Sequence, residues 1–126
     1  RLISIKRITM AYNEQLADRV RELISETTNR VEEKKMFGGL CFMVNNKMLV
    51  GVETERLMVR FDPVLQEELL EKPGVLPMDF TGRVMKGYAF VDLTELSTRK
   101  KLGYWIALAL AYNQYAKASV KKKKLK

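Results

Sequence analysis

The sequence predicts a two-layer α+β domain, an antiparallel sheet of about five strands with helices packed on it in the order α-β-β-β-α-β-β-α. Three observations carry that reading. Apolar residues recur at helical spacing near both ends of the chain, they fall into short runs in the middle, and residues suited to tight turns separate those runs. The 126 residues give room for a single core, expected over residues 10–120, and are too few for two ordinary domains.

The first helix is expected to start after Asn13 and run to about Thr28, because the Asn13 side-chain oxygen can accept from the orphan N–H groups of a first turn. Leu16, Val20, Leu23 and Ile24 then fall on one face, and Val31 continues the series. Three short apolar runs follow, Met36 to Val44, Met48 to Val52 and Arg56 to Phe61, divided by Asn45-Asn46-Lys47 and Glu53-Thr54-Glu55. Asn tolerates the positive φ of tight hairpins, so these runs read as a three-stranded meander. In its third strand Leu57, Val59 and Phe61 alternate with Arg56, Met58 and Arg60, which assigns the two sets to opposite faces.

Asp62-Pro63 matches a helix start, with an accepting carboxylate followed by a proline whose missing N–H costs nothing there. A short helix from Val64 to Glu71 should end at Lys72-Pro73-Gly74. Two further strands, Val75 to Phe80 and Tyr88 to Val91, are expected to flank a loop from Thr81 to Gly87. Ser97 or Thr98 then caps a long helix from about Arg99 to Val120. That helix carries one apolar stripe of Leu102, Trp105, Ile106, Ala109 and Leu110 and a second of Tyr104, Leu108, Tyr112 and Tyr115. One stripe covers the sheet, and the other implies a homodimer or burial against the first helix.

The formal charge of +8 suggests an anionic partner, but its distribution matters more. Residues 1–9 hold Arg1, Lys6 and Arg7, residues 117–126 hold Lys117, Lys121, Lys122, Lys123, Lys124 and Lys126, and neither piece holds an acid. The remaining 23 − 3 − 6 = 14 basic residues face 15 acids, so the body has a net charge of −1. Residues 1–9 read as a leader left by expression or by an over-extended start ahead of Met10, and residues 121–126 as a basic tail. The leader is too charged for a secretory signal, and a single cysteine, Cys41, suits a reducing compartment, so a cytoplasmic protein is expected. The longest uncharged stretch, Leu102 to Ala116, falls short of the ~18 apolar residues that suggest a membrane span.

Histidine is absent, which removes Ser-His-Asp and Cys-His catalysis and His-ligated zinc. Cys41 sits inside the apolar run Leu40-Cys41-Phe42-Met43, where a thiol behaves as a small buried hydrophobe. The methionines are spread along the chain without a partnering Cys or His cluster and read as core filler, while Glu32/Glu33 and Glu67/Glu68 are adjacent pairs that do not share a helix face. No glycine segment matches a phosphate-cradling loop. No catalytic residue, metal or cofactor is therefore expected. Asp79, Thr81, Arg83 and Lys86 lie close together beside Gly82 and Gly87 and make a candidate ligand or partner site, with an Asp79–Arg83 ion pair that merely stiffens the loop as the plainer reading. Arg56, Arg60, Lys121, Lys122, Lys123 and Lys124 are candidate phosphate contacts for nucleic acid.

Two segments, Met36-Phe37-Gly38-Gly39 and Phe80-Thr81-Gly82-Arg83 to Met85-Lys86-Gly87, resemble those of the amino-terminal domain family of the competence regulator TfoX (Sxy), the second being similar to a small stand-alone branch. The likeness extends from about Leu16 to Tyr115. It implies the family's α+β architecture and a non-enzymatic regulatory or protein-interaction module of undefined molecular activity. Weak, sequence-independent nucleic-acid binding is the alternative, and ligand binding or catalysis at the 79–87 loop a third reading.

Overall fold

The computed structural model describes residues 12–36, 38–80 and 82–116. The expectations for residues 1–9, for Thr81 and for Lys121, Lys122, Lys123 and Lys124 lie outside the described residues. The elements are α1 (Glu14–Ser25), β1 (Val31–Met36), β2 (Gly39–Val44), β3 (Lys47–Val52), β4 (Arg56–Arg60), a 3-10 turn (Pro63–Leu65) leading into α2 (Gln66–Leu70), β5 (Val75–Phe80), β6 (Arg83–Asp92), a second 3-10 turn (Leu93–Leu96) and α3 (Arg99–Asn113). The six strands form one antiparallel sheet in the order β1-β2-β3-β4-β6-β5.

Local chemistry sets the boundaries. Asn13 accepts from the Leu16 N–H at 3.0 Å, Asp62 from the Val64 N–H at 3.1 Å and Thr98 from the Lys101 N–H at 3.1 Å, so three expected caps form. Asn45 and Asn46 take φ of 56° and 64°, the pair of left-handed conformations that a two-residue hairpin between Val44 and Lys47 requires.

Four expectations are corrected. Val31 belongs to β1 rather than to the helical series, because α1 ends at Ser25. A sixth strand exists: Val31-Glu32-Glu33-Lys34-Lys35-Met36 has charged residues at its four central positions and no apolar alternation, and it pairs only with β2 at the sheet edge. Charge there blocks pairing with another chain. The expected loop from Thr81 to Gly87 is largely strand, since β6 starts at Arg83 and pairs back onto Phe80. Its glycines serve other purposes: Gly87, at φ 87°, lies where the β5–β6 register shifts, donates its N–H to Gln66 Oε1 at 2.9 Å and accepts from the Phe61 N–H at 2.8 Å. Finally, α3 ends at Asn113, whose side chain donates to the Val44 carbonyl at 3.1 Å and accepts from Asn45 Nδ2 at 3.2 Å, and Lys47 Nζ donates to the Asn113 carbonyl at 3.0 Å.

The sheet has two unlike faces. On one, Leu40, Phe42, Leu57, Val59, Ala89 and Val91 pack with Leu16, Val20 and Ile24 of α1, Leu69 of α2 and Leu102, Trp105 and Ile106 of α3. On the other, Cys41, Met43, Met48, Met58, Met78 and Phe90 form a separate buried cluster bordered by Met36, Met85 and Tyr88, to which no described helix contributes. The methionines that look scattered along the sequence are thus gathered around the one cysteine.

Candidate partner-binding surface

The two segments that carry the family resemblance are the turns of two hairpins. Gly38 lies between β1 and β2 and Gly82 between β5 and β6, at φ 74° and φ 76°. Gly39 has a different reason to be glycine, because a Cβ there would stand 2.4 Å from the Val52 carbonyl oxygen. Since β1 and β5 are opposite edges of an antiparallel sheet, the two turns lie at diagonally opposite corners and do not build one site.

Among the residues proposed around the second turn, Asp79 pairs across the hairpin with Val84 and Phe80 with Arg83. Asp79 and Arg83 therefore occupy opposite faces of the ribbon, and no ion pair joins them among the described residues. Both are exposed, as is Lys86 at the register shift. The plainer Asp79–Arg83 reading fails for this geometric reason. On β4, the Arg56 guanidinium lies 3.5 Å from the Phe90 ring centroid and donates to Glu53 at 2.7 Å, while that of Arg60 lies 5.4 Å from the Tyr88 centroid. These two proposed phosphate contacts already close the edge of the methionine face.

The second stripe of α3 divides. Leu108 packs against the helix-covered core and Tyr112 is half-buried, whereas Tyr104 and Tyr115 are 42% and 71% exposed. Tyr104 meets Trp105 edge to face, with centroids 5.1 Å apart, and Lys72 Nζ stands 5.1 Å over the Tyr104 ring. Together with Pro73, Glu95, Lys100 and Lys101 these residues line a cleft of about 510 Å³ at the start of α3. Sequence reasoning passed over it because Lys72 and Pro73 were read as a helix stop and Lys100 and Lys101 were given no role. The signal present was a helix start with three bases, Arg99, Lys100 and Lys101, and no acid.

Titration adds little chemistry. Burial, together with the nearby Glu53 charge, pushes the Cys41 thiol up to about 11, which keeps it protonated and inert at neutral pH. Hydrogen bonds from Arg21 hold Glu33 below its usual range, and those from Thr94 do the same for Asp92. No group of three His, Cys, Asp or Glu side chains suited to a metal occurs among the described residues.

Against the family models, the chain matches the TfoX N-terminal domain over residues 22–112. The chain belongs to that family. The match runs from within α1 almost to the end of α3, so it takes in both hairpin turns and the cleft. Neither the curated proteins nor the solved structures yield a match. Membership in the TfoX N-terminal domain family supports a regulatory or competence-related module in general and no specific activity. No helix among the described residues is long and apolar enough to cross a membrane.

Proposed function

We propose that this TfoX N-terminal domain is a non-enzymatic regulatory module that works by binding a protein partner on the outer side of α3. The observation that supports the reading is the exposure of Tyr104 beside a cleft rimmed by lysines. An accessible aromatic is what protein interfaces favour, since a ring supplies large contact area at small entropic cost, and the lysines around it suit the polar rim of such a surface. The helix-covered core beneath holds this surface rigid: Arg19 of α1 donates to the Leu96 carbonyl at 2.6 Å, Asn113 ties the far end of α3 to the β2–β3 turn, and α3 spans the sheet between them.

The test is a photo-crosslinking amino acid placed at Tyr104 and, as control, at Val84, which is exposed on the β5–β6 hairpin. In cells of the native host, the Tyr104 position is expected to give one saturable adduct with a different protein, competed by excess unlabelled domain. Adducts of equal pattern from both positions, or an adduct only with a second copy of the chain, overturn the reading.

A further inference from the structure

The β5–β6 ribbon is broken rather than bent. Pro77 pairs with Ala89 and Asp79 with Val84, so Met78 alone on β5 faces Met85, Lys86, Gly87 and Tyr88 on β6. A simple bulge sets two residues against one, and this one sets four. β4 stops supporting β6 at the same place, because the last pair between those strands is Arg60 with Tyr88. β5 is the sheet edge, so among the described residues Arg83 and Val84 pair only with Phe80 and Asp79. Two strands alone make a marginal structure in water, and the placement of this end therefore depends on what holds the break.

Two hydrogen bonds meet at the break, both on Gly87. Its N–H donates to Gln66 Oε1 at 2.9 Å, and its carbonyl accepts from the Phe61 N–H at 2.8 Å. Gly87 takes φ 87°, and a Cβ there would stand 3.0 Å from the Phe61 carbonyl oxygen and 3.2 Å from Pro63 Cγ, so no side chain of its own can pin the chain. Gln66 of α2 supplies the pin instead. It is buried, and the bond to Gly87 is the one its amide makes among the described residues. An apolar side chain would fill the same space and leave the Gly87 N–H without its acceptor. The other attachments are of a softer kind: buried Met78 and half-buried Met85 join the thioether cluster from either side of the break. Unbranched side chains with three rotatable bonds follow a moving backbone by changing rotamer.

We infer that Met85-Lys86-Gly87 is a hinge with Gln66 as its catch, on which the paired residues Asp79, Phe80, Arg83 and Val84 turn as one unit. Release of the catch frees the Gly87 and Phe61 N–H groups together, because one peptide segment carries both the donor to Gln66 and the acceptor from Phe61. The Asp79–Val84 and Phe80–Arg83 pairs stay intact, and Met78 and Met85 repack within their cluster. The exposed side chains of Asp79, Arg83 and Val84 change direction while the helix-covered core stays closed. Gln66 is thus a positioning residue that acts through Gly87. Hinge motions of this kind fall in the microsecond-to-millisecond range.

The test is amide hydrogen exchange, followed by NMR on the full chain and on Gln66→Met, which is close in length and has no strong acceptor. In the wild type, Gly87 and Phe61 are expected to share one protection factor, at least about tenfold below those of Val50 and Val59 in the central strands. Gln66→Met should speed exchange at both Gly87 and Phe61 by at least about tenfold, leave Val50 and Val59 unchanged, and shift the methyl signals of Met78 and Met85. Phe61 is the deciding probe, since its N–H bonds to Gly87 and not to Gln66. Faster exchange at Gly87 alone removes the hinge, an even rise that includes Val50 and Val59 makes Gln66 a core filler, and no change at Gly87 removes the catch; each overturns the inference. If the variant does not fold, the wild-type pattern decides, and protection of Gly87 and Phe61 equal to that of Val50 and Val59 overturns it.

Discussion

Each face of the sheet is closed by an arginine laid over a phenylalanine, and the two closures differ in kind. On the helix-covered face, Arg21 of α1 stands 5.8 Å from the Phe42 centroid and holds Glu33 of β1 through two short hydrogen bonds of 2.6 and 2.8 Å, with Asp18 as a further partner at 2.6 Å. On the methionine face, Arg56 lies 3.5 Å over Phe90 and has Glu53, three residues away, as its carboxylate. The first arrangement ties a helix to an edge strand. The second joins only parts of the sheet itself, β4 to its neighbour β6 through the ring and to its own turn through the carboxylate, so it ties no helix to the sheet. The packing beneath differs in the same sense: branched and aromatic residues with few rotamers lie under the helices, and unbranched thioethers fill the other face. The helix side is expected to be the rigid, stability-determining half and the methionine side the adaptable one.

The largest effect should come from Phe42→Ala. Phe42 of β2 is fully buried in the helix-covered core, and its truncation is expected to cost about 3–5 kcal/mol in denaturant unfolding. A cost under about 1 kcal/mol would remove the distinction between the faces. Met58→Leu probes the other side at comparable burial, beside Gly51 and Cys41. A flexible, methionine-filled cluster should absorb the change for less than about 1.5 kcal/mol, and a loss above that marks a face packed as tightly as the first.

The smallest effect concerns the Arg21–Glu33 link. Arg21 holds the Glu33 carboxyl below its ordinary value, so the stabilisation is fully present above the unfolded carboxyl's pKa of about 4.3 and is lost as pH falls through the lowered folded value. Because both side chains keep substantial contact with solvent, the link is worth only about 0.5–1 kcal/mol. Wild type should therefore melt slightly above Glu33→Gln at neutral pH, the gap closing as the pH is taken well below 4. A gap that persists in strong acid would mean that Glu33 acts by packing rather than by charge.

The sequence by itself determined what depends on neighbours along the chain. Asn13, Asp62 and Thr98 cap the turns that follow them, Asn45-Asn46 makes its own hairpin, and the alternation in Arg56 to Phe61 assigned the two sides of β4, because each signal is complete within a few residues. The two glycine-bearing segments likewise identified the family. Tertiary structure alone decided the rest. β1 carries no apolar pattern and is a strand only because β2 offers its edge, and Arg83 to Gly87 is strand only because β5 pairs back across a register shift at a glycine that reaches Gln66 and Phe61. The gathering of six methionines around Cys41 and the meeting of Lys72 with Lys100, Lys101 and Trp105 arise from which strands and turns become neighbours. Periodicity reports which way a residue faces within its own element; where that face meets residues distant in sequence is fixed by packing the elements together.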